Sequence, residues 1–539
     1  MILFTKSDLM KIVDVFNLVF WRSVLVLVMV TTSACKEGGL HAASAYTALP
    51  KDASPYQATV SIDLAETFPT NKRLLGNNIQ WVDRGDELLK KGSTEFSPLM
   101  LDKVLELQPT VLRYPGGSLS DLYRWKHGMG RAEKRKKSSR FHGNGDDTIM
   151  FGTQEFLRLC QLTGAEPLLT ANVITAPPEE TLDWIKKINF ERVTYKGEPL
   201  PKVEFLEVGN EPYLIDDNKK ELAITAKEYA KRASSLVAKL RKLDPTVKVG
   251  IPLRSDDFDG MPVTPLPGFN KEVLEGYSEQ IDFVALHNTY FPFIWADLPS
   301  NEEQMYLATM AASNVVSKDL ERTRQQLKQF REEKNIPIAI TEMNSMFSIG
   351  QGKSDEYIQS LTGAMYIADL LSLLSKEPDI LMANFWSLTG NWQFGAIDQS
   401  GRERAPYKVL KKFHEMLDGS HVNTVITGPS FDIVQTGILT EQQGVSYLSV
   451  LGSIVDGGVD GKLVNLWIVN KHPLRAANLS LSMGKNKLVK SITKETLTAK
   501  KYFSVAQAKA MNWTNKVVQE NDEPVVLEPH SINLITVRM

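Results

Sequence analysis

The chain has 539 residues, of which 42% are hydrophobic and 23% are charged, so it can bury a large core and form one large domain with one or two smaller ones. Its formal net charge of −2 argues against general nucleic-acid binding, which usually shows a basic excess. The only cysteines are Cys35 and Cys160, which excludes a disulfide framework as the source of stability.

The N-terminus, residues 1–35, has the composition of an export signal. Basic side chains precede a short apolar run at residues 23–30, and this run is shorter than the roughly 20 residues that a membrane-spanning helix needs. Thr32-Ser-Ala-Cys35 follows and resembles a bacterial lipobox. The resemblance implies cleavage before Cys35, a lipid on its thiol and anchoring to the outer membrane or cell surface of a Gram-negative bacterium. Plain secretion or a periplasmic location is the alternative.

Residues 36–57 are predicted to be a linker, because the chain from His41 onwards is rich in Ala, Ser, Thr and Pro. The next segment, Ala58–Leu64, alternates apolar and polar side chains as a strand does. We expect residues 58–72 to join a β-sheet formed by the C-terminal part of the chain, because the two segments flank the region between them.

Eight apolar, strand-like runs alternate with amphipathic helical stretches between residues 73 and 416. Such alternation indicates βαβ units and a parallel sheet. Eight units in about 340 residues are typical of a (β/α)8 TIM barrel with some long loops. The runs are Leu74–Trp81, Thr110–Gly116, Glu166–Val173, Phe205–Glu211, Val247–Leu253, Asp282–Tyr290, Pro337–Asn344 and Ile380–Trp386. The alternative is an open doubly wound sheet, although no Gly-rich phosphate loop follows the first run.

Residues 417–539 show a different pattern, in which short β-rich segments are separated by Gly and Asn. This pattern predicts a β-sandwich. The expected fold class is therefore α/β, with a TIM barrel at residues 73–416 and a β-sandwich as the accessory domain.

Two glutamates, Glu211 and Glu342, stand at the ends of predicted strands four and seven. Catalytic groups of a TIM barrel lie at the carboxyl ends of its strands, so both side chains are expected at one shared mouth. Retaining glycoside hydrolysis needs such a pair, because one carboxylic acid protonates the leaving oxygen while the other attacks the anomeric carbon. We expect burial and the charge of the partner to keep the acid protonated near neutral pH.

Four polar residues near the same strand ends have predicted supporting roles. Asn210 is expected to hydrogen-bond the sugar hydroxyl next to the reacting carbon. Tyr290 and His287 are expected to position or tune Glu342. Arg113 is expected to hold that glutamate ionised by charge pairing, a purely structural ion pair being the alternative.

Other side chains are suited to contact a carbohydrate. Trp386, with Trp81 and Trp125 as further candidates, offers a flat apolar face to a sugar ring, and core packing is the alternative for each. The basic run Arg131–Arg140 fits either a solvated loop or a contact for an acidic polysaccharide.

The sequence shows little sign of a metal-binding site or of a catalytic serine nucleophile. The eight histidines are scattered without metal-ligand spacing, and the cysteines form no pair. No Gly-x-Ser-x-Gly nucleophile elbow is present. We therefore expect neither a metal nor a cofactor.

The motifs resemble clan A of the glycoside hydrolases and, within it, family 51, the α-L-arabinofuranosidases. Gly209-Asn-Glu-Pro212 after an apolar strand, together with Glu342 on strand seven, carries the likeness. Further matching segments are Arg113–Gly117, Tyr123–Gly128, Phe151–Phe156, Leu159–Pro167, Asn172 with Pro177–Glu180 and Trp184, Glu228–Ala230 and Asp244–Pro245. The resemblance implies Glu211 as acid/base, Glu342 as nucleophile, Asn210 and Asn172 as substrate contacts, a trailing β-sandwich and no cofactor.

The chain departs from the pattern of that family in three places. Thr341 and Met343 flank the expected nucleophile, where the family usually has an acidic residue and a Trp. Pro212-Tyr213 stands where an Asp-Gly pair is usual, and Asn78 or Gln80 would replace a sugar-binding glutamate on the first strand. These differences leave the catalytic pair intact but open the specificity to xylosides, galactosides or uronic-acid polymers.

The sequence therefore predicts a retaining glycoside hydrolase with an oligo- or polysaccharide substrate, and α-L-arabinofuranosidase activity on plant or algal side chains is the leading expectation. A non-catalytic polysaccharide-binding lipoprotein on a decayed barrel is the competing interpretation, against which the presence of both glutamates argues. A transglycosylase using the same chemistry is the third, and product analysis with added acceptor separates it from a hydrolase.

Overall fold

The computed structural model describes residues 53–140, 145–214, 222–255, 266–294, 301–331, 335–348, 352–390, 392–458, 461–483, 489–518 and 524–539. The predicted export signal, the predicted lipidation site Cys35 and the predicted linker up to residue 52 lie outside these ranges. Across the described ranges, no helix combines the length and the apolar content needed to cross a bilayer.

Eight parallel strands close into a barrel in which each strand pairs with its neighbours in the chain and the last pairs with the first. These strands are β1 Gly76–Asn78, β2 Val111–Tyr114, β3 Glu166–Ala171, β4 Phe205–Val208, β5 Lys248–Pro252, β6 Phe283–Leu286, β7 Ile338–Met343 and β8 Ile380–Phe385. Each lies within one of the eight predicted runs. Closure confirms the predicted TIM barrel and excludes the open sheet.

An α-helix follows every barrel strand in the described part of the chain. These helices are α1 Pro98–Leu107, α2 Thr153–Thr163, α3 Pro178–Asn189, α4 Ala226–Leu243, α5 Phe269–Gly276, α6 Glu302–Phe330, α7 Leu361–Leu374 and α8 Ala405–Leu417. In α4 the buried side chains Tyr229, Ala233, Leu236 and Leu240 recur at three- and four-residue spacing, so one stripe faces the barrel. The hydroxyl of Thr225 accepts a hydrogen bond from an amide of the first turn and caps this helix.

The barrel interior is built in two levels. Apolar side chains fill the lower level, which consists of Val111, Leu168, Phe205, Phe283, Ala339 and Met382. Side chains alternate between the two faces of a strand, so the residue two positions further along points inward again. On several strands that residue is polar. We call Asn78, Arg113, Thr170, Glu207 and Thr341 the polar layer; all five are fully buried.

The β-rich region forms one continuous nine-stranded sheet, and the early strand Tyr56–Pro69 belongs to it. That strand pairs antiparallel with Ser420–Thr427 and parallel with Ala477–Ser482, so chain ends on both sides of the barrel meet. The other strands of the sheet are Leu448–Asp456, Lys462–Asn470, Ser491–Leu497, Thr514–Val518, Val525–Leu527 and Ser531–Arg538. The predicted TIM barrel with an accessory β domain is thus confirmed, and nine strands of that domain, which was predicted as a β-sandwich, pair as one sheet.

Helix α7 lies between the barrel and the sheet. Nearly all of its side chains are buried, because one face packs on the barrel and the other meets the accessory strands. The indole Nε1 of Trp467 donates to the carbonyl of Ala368, and the ammonium of Lys471 lies 2.7 Å from Asp369 Oδ2. The sheet is therefore fastened to the barrel by buried polar contacts as well as by apolar packing.

Candidate active site

Glu211 and Glu342 meet at one rim of the barrel, as their strand positions predict. Glu342 lies in β7, and Glu211 follows β4 after Gly209, whose φ is +92°. Glu211 itself has φ +43°, a strained conformation for a residue with a side chain and one that costs about 1–3 kcal/mol. An oxygen of each carboxylate lies within 4.8 Å of the other. This separation matches a retaining pair, whereas inverting pairs stand about 6.5–9.5 Å apart.

Glu342 is held by one cation and one hydroxyl. Arg113 Nη1 donates to its Oε1 at 2.9 Å, and Tyr290 Oη donates to its Oε2 at 2.7 Å. Burial raises the pKa of Glu342 above its ordinary value, and the positive charges of His287 and Arg113 limit that rise. Two of the three predicted partners, Arg113 and Tyr290, are therefore hydrogen-bonded to Glu342, in an arrangement that orients an ionised carboxylate.

Glu211 has a different partner. His287 Nδ1 lies 2.9 Å from its Oε1, and Tyr213 Oη donates to the same oxygen at 3.4 Å. Burial is the largest single influence on Glu211 and raises its pKa, but the charge and the hydrogen bond of His287, the charge of Arg113 and the hydrogen bond from Tyr213 together outweigh burial and lower that pKa. The expectation of a raised pKa is thus wrong for the site without substrate, because sequence reasoning did not place a histidine against this carboxylate.

His287 was expected to tune Glu342, but it hydrogen-bonds Glu211 and stands 3.7 Å from the nearer oxygen of Glu342. Burial lowers the pKa of His287, whereas the charges of Glu342 and Glu211 outweigh burial and raise it. The opposite shifts of these two pKa values favour an imidazolium that donates from Nδ1 to an ionised Glu211 across their 2.9 Å contact.

Arg113 organises the floor of the site. Its Nε donates to Glu207 at 2.6 Å, its Nη1 donates to Asn78 Oδ1 at 2.9 Å, and its Nη2 donates to Asn210 Oδ1 at 2.9 Å. Asn78 is fully buried, and its amide donates to the carbonyl of Thr341 at 2.9 Å. The expected role of Asn78 as a sugar contact is therefore wrong: it holds the arginine from below.

Asn210 has a free donor. Its Oδ1 is taken by Arg113, which fixes the orientation of the amide, while its buried Nδ2 has no partner among the residues that the structure describes. A buried donor without a partner costs about 1–3 kcal/mol, which a ligand acceptor can recover. The amide is thus available for the predicted bond to a sugar hydroxyl.

Glu207 is a third buried carboxylate that sequence reasoning missed. It accepts from Arg113 Nε, from the hydroxyl of Thr170 at 3.0 Å and from the hydroxyl of Thr341 at 2.7 Å. The sequence does contain a signal for Glu207: it stands two positions after Phe205 in an apolar strand, so both side chains lie on the same face of that strand.

Trp386 is 5% exposed and lies over the glycine pair that follows β2. A Cβ on Gly116 or Gly117 would come within 2.8 or 2.5 Å of its ring, so only glycine fits there. Trp81 is fully buried, and its indole donates to the carbonyl of Leu119, which makes it a core residue.

Trp125 and Asn172 are occupied by structural contacts. The indole of Trp125, 7% exposed, donates to the carbonyl of Glu180. Asn172 Oδ1 accepts from three consecutive backbone amides at residues 174–176, and its Nδ2 donates to Tyr123 and Thr175. These bonds use its amide to shape a loop, and none of them joins it to the two glutamates.

Glu211, His287 and Glu342 have the residue types and the spacing of a metal site. Each already has protein partners, however. Arg113 and Tyr290 take the two oxygens of Glu342, and the adjacent guanidinium opposes a second cation. The arrangement thus suits proton transfer and nucleophilic attack better than metal binding.

Comparisons with known proteins agree with this geometry. Residues 103–263 match the family model described as "Alpha-L-arabinofuranosidase 1 domain". Alpha-L-arabinofuranosidase C of Emericella nidulans is 33% identical over 166 residues, which are 29% of this chain and 32% of that protein. Exo-alpha-(1->6)-L-arabinofuranosidase of Bifidobacterium longum is 27% identical over 248 residues, which are 43% of this chain and 46% of that protein.

The fold extends beyond these local matches. The crystal structure of an alpha-L-arabinofuranosidase from Thermotoga maritima superposes with a TM-score of 0.74 at 22% identity and covers 90% of this chain and 100% of that one. The alignments with the fungal relatives span about a third of their length. The chain is thus similar in sequence to α-L-arabinofuranosidases over part of the barrel, residues 103–263 in the family match, and similar in fold to the Thermotoga maritima structure over nearly all of its length.

Proposed function

We propose that this protein is a retaining glycoside hydrolase, and specifically an α-L-arabinofuranosidase that releases arabinose side chains from plant or algal polysaccharides. The observation that carries the proposal is a pair of glutamates, Glu342 buried and Glu211 partly buried, with carboxylate oxygens within 4.8 Å of each other in two unlike environments. One glutamate is paired with a cation and a tyrosine hydroxyl, and the other is hydrogen-bonded to a histidine.

In the proposed reaction, Glu342 attacks the anomeric carbon while Glu211 gives its proton to the departing oxygen. Water then attacks the glycosyl-enzyme, and Glu211 takes a proton from that water. Arg113 and Tyr290 orient the nucleophile, and the free Nδ2 of Asn210 bonds the hydroxyl beside the reacting carbon. That bond assists catalysis to the extent that it strengthens in the transition state.

The choice of sugar rests on the relatives. The family match and the two curated relatives all carry the name arabinofuranosidase, and the departures in sequence leave the catalytic pair and Asn210 unchanged. The exposed basic side chains Arg131, Lys134, Lys136 and Lys137 in the loop after β2 favour a second candidate, a substrate that carries uronic acids.

A panel of 4-nitrophenyl glycosides tests the proposal. We expect the α-L-arabinofuranoside to be cleaved fastest, with release of arabinose from arabinan or arabinoxylan. NMR of the first product should show the anomeric configuration of the substrate. A product of opposite configuration would contradict the two-step mechanism, and faster release of xylose, galactose or uronic acid would replace the arabinose assignment.

Two further outcomes separate the competing functions. Binding of these polymers without any cleavage would make the protein a non-catalytic glycan-binding protein. Transfer of the sugar to an added alcohol or oligosaccharide in preference to water would make it a transglycosylase. Each outcome appears in the same assay, by product analysis with and without acceptor.

We also propose that the protein is exported and anchored by a lipid on Cys35, on the strength of the lipobox-like segment Thr32–Cys35. Mass spectrometry of protein from the membrane fraction should find Cys35 as the modified N-terminal residue. Cys35→Ala should release the protein from the membrane, whereas Cys160→Ala, which changes a buried thiol, should leave it there. Wild-type protein that is soluble after export would contradict the anchor.

A further inference from the structure

A buried chain of hydrogen bonds runs from Glu211 to Glu207 across the barrel. Glu211 Oε1 lies 2.9 Å from His287 Nδ1, His287 Nε2 lies 3.0 Å from Thr341 Oγ1, and Thr341 Oγ1 lies 2.7 Å from Glu207 Oε1. His287, Thr341 and Glu207 are each at most 2% exposed, so bulk water does not compete for these bonds. The chain thereby couples the rim of the site to the polar layer beneath it.

The donors in this chain can be assigned from the partners of Glu207. This carboxylate already accepts from Arg113 Nε and from the hydroxyl of Thr170, as an ionised group does. The hydroxyl of Thr341 is the third donor to Glu207, and its single proton points to Glu207 Oε1. The oxygen of Thr341 can then only accept from His287, so the proton of that contact belongs to His287 Nε2.

The tautomer determines what His287 can do at its other nitrogen. A neutral imidazole that carries its proton on Nε2 presents a bare Nδ1, which accepts from a protonated Glu211. An imidazolium instead donates from Nδ1 to an ionised Glu211. In both states one proton lies on the contact between these residues. The opposite neutral tautomer would aim a lone pair at Thr341, and its Nδ1 proton could not pass to Glu211 without leaving an imidazolate.

We propose that Glu207 and Thr341 are positioning residues that hold His287 as the Nε2-protonated tautomer and so keep Glu211 supplied with the proton it gives to the leaving group. The proposal rests on the proposed acid/base role of Glu211. It also accounts for the departure at Thr341: the carboxylate that completes the network comes from β4, and the residue before the nucleophile provides a hydroxyl that bridges to it.

Four charged groups lie against His287 in the described structure and set its electrostatic environment. They are Glu211 and Glu207 from β4 and the turn after it, Glu342 from β7, and Arg113 from β2. Removal of the Thr341 hydroxyl leaves these charges in place; it removes the acceptor of the Nε2 proton and one of the donors to Glu207. A change in catalysis in that variant therefore reports the tautomer and not the net charge of the site.

Thr341→Val, which keeps the shape and loses the hydroxyl, tests the proposal kinetically. We expect kcat/KM to fall by about 10- to 100-fold for substrates with poor leaving groups, which need protonation, and little for activated aryl glycosides. The alkaline limb of the pH profile should move to lower pH, because Glu211 loses its proton more easily. Thr341→Ser should restore both properties.

Thr170→Val is the matched control, because Thr170 also donates to Glu207 but has no hydrogen bond to His287. We expect this variant to keep the leaving-group dependence of the wild type. Equal losses in Thr170→Val and Thr341→Val would overturn the proposal, since removing any donor to Glu207 would then suffice.

Nitrogen NMR of protein with 15N-labelled histidine gives a readout that needs no substrate. The signals of His287, assigned with His287→Gln, should show a protonated Nε2 in the wild type and in Thr341→Ser, with that preference lost in Thr341→Val. A wild-type tautomer protonated on Nδ1 alone would overturn the proposal even in an active enzyme. Lack of arabinofuranosidase activity with the expected tautomer would instead contradict the proposed specificity.

Discussion

At the scale of single residues, the site separates two chemically identical carboxylic acids by their neighbours. Glu342 contacts a guanidinium and a phenol, both of which stabilise its ionised form. Glu211 contacts a histidine, which can hold a proton or return it. This difference in neighbours supports the proposed roles of Glu342 as nucleophile and Glu211 as acid.

The nucleophile assignment predicts the behaviour of Glu342→Ala. Turnover should fall by at least about a thousandfold, because the covalent intermediate can no longer form. Azide, which is small enough to occupy the space of the lost carboxylate, should partly restore cleavage of an activated aryl glycoside.

The glycosyl azide formed by this variant should have the configuration opposite to that of the substrate, which NMR can determine. Azide should not accelerate the wild type, which serves as the control. Wild-type turnover in Glu342→Ala would contradict the assignment.

Asp86, in the loop after β1, predicts a pH dependence of stability. Burial raises its pKa to about 7, from an ordinary value of 3.8, while the backbone amide of Gln80 opposes that rise. The folded protein therefore binds a proton that the unfolded chain releases, and the free energy of unfolding should decrease as pH rises from about 4 to about 7. Asp86→Asn should show a flatter dependence in urea unfolding followed across this range.

Asp398 serves as a control, because its pKa is shifted in the direction opposite to that of Asp86. Burial raises its pKa, but hydrogen bonds from Ser400 and Arg402 outweigh burial and lower it to about 2. Its contribution to stability is therefore present above an ordinary aspartate pKa and is lost as pH falls towards 2. A steeper rather than flatter profile in Asp86→Asn would contradict the protonated state of Asp86.

At the scale of secondary-structure elements, an irregularity in β7 brings two consecutive side chains to the inside of the barrel. Pairing between β7 and β8 shifts register between Ile340 and Met343. A regular strand would send Thr341 and Glu342 to opposite faces, but here Thr341 bonds Glu207 while Glu342 bonds Arg113. The local distortion of this strand therefore supplies both the proposed nucleophile and a part of the polar layer.

The tight contact between β5 and β6 predicts the effect of Gly250→Ala. A Cβ on Gly250 would lie 2.0 Å from the ring of Phe283, which belongs to the apolar lower level of the barrel. We expect the free energy of unfolding to fall by about 1–3 kcal/mol or more in urea denaturation.

Adding Phe283→Leu to Gly250→Ala should recover part of the loss, because it removes the atoms that clash. Gly428→Ala is the control, since its Cβ would meet only ordinary contacts at 3.6 and 3.8 Å. An equal loss of stability in the two glycine variants would contradict this prediction, because it would mean that the barrel interior accommodates the added methyl group at β5 without strain.

At the scale of the whole molecule, the sheet and the barrel share one buried seam along α7. Lys471 and Asp369 are each 5% exposed at this seam, and the hydroxyl of Ser313 also donates to Asp369. The ammonium of Lys471, from the sheet, pairs with the carboxylate of Asp369, from the barrel. Separating the sheet from the barrel would leave each of these charges buried without its partner. The accessory sheet is thus part of the folding unit of the barrel.

This seam predicts that Lys471→Ala destabilises the entire protein. The free energy of unfolding should fall by about 3–5 kcal/mol, because Asp369 is left buried without its cation. Urea unfolding followed by circular dichroism and by tryptophan fluorescence should show both signals shifting together.

Lys126→Ala breaks an ion pair of similar length whose side chains are more than half exposed, and it should cost less than about 1 kcal/mol. A Lys471→Ala variant no less stable than Lys126→Ala would contradict the shared seam.

Some features of this protein were determined by the sequence alone. Local periodicity predicted the eight strands, because burial on a barrel selects apolar runs whatever the sheet order. The positions of Glu211 and Glu342 at strand ends then predicted that they meet, because a closed parallel barrel brings all carboxyl ends to one rim. The contacts of Arg113 and Tyr290 with Glu342 followed from the same reasoning.

Only the tertiary structure decided the partner of His287, the burial of Asn78 beneath Arg113 and the part played by Glu207. The stagger of the strands and the irregularity in β7 set these contacts. Shifts of one or two residues between neighbouring strands change which side chains touch across the barrel, and no local pattern in the chain encodes them. The periodicity of the sequence determines which face of a strand a side chain lies on. The register between strands that are distant in the chain determines which side chains it contacts on that face.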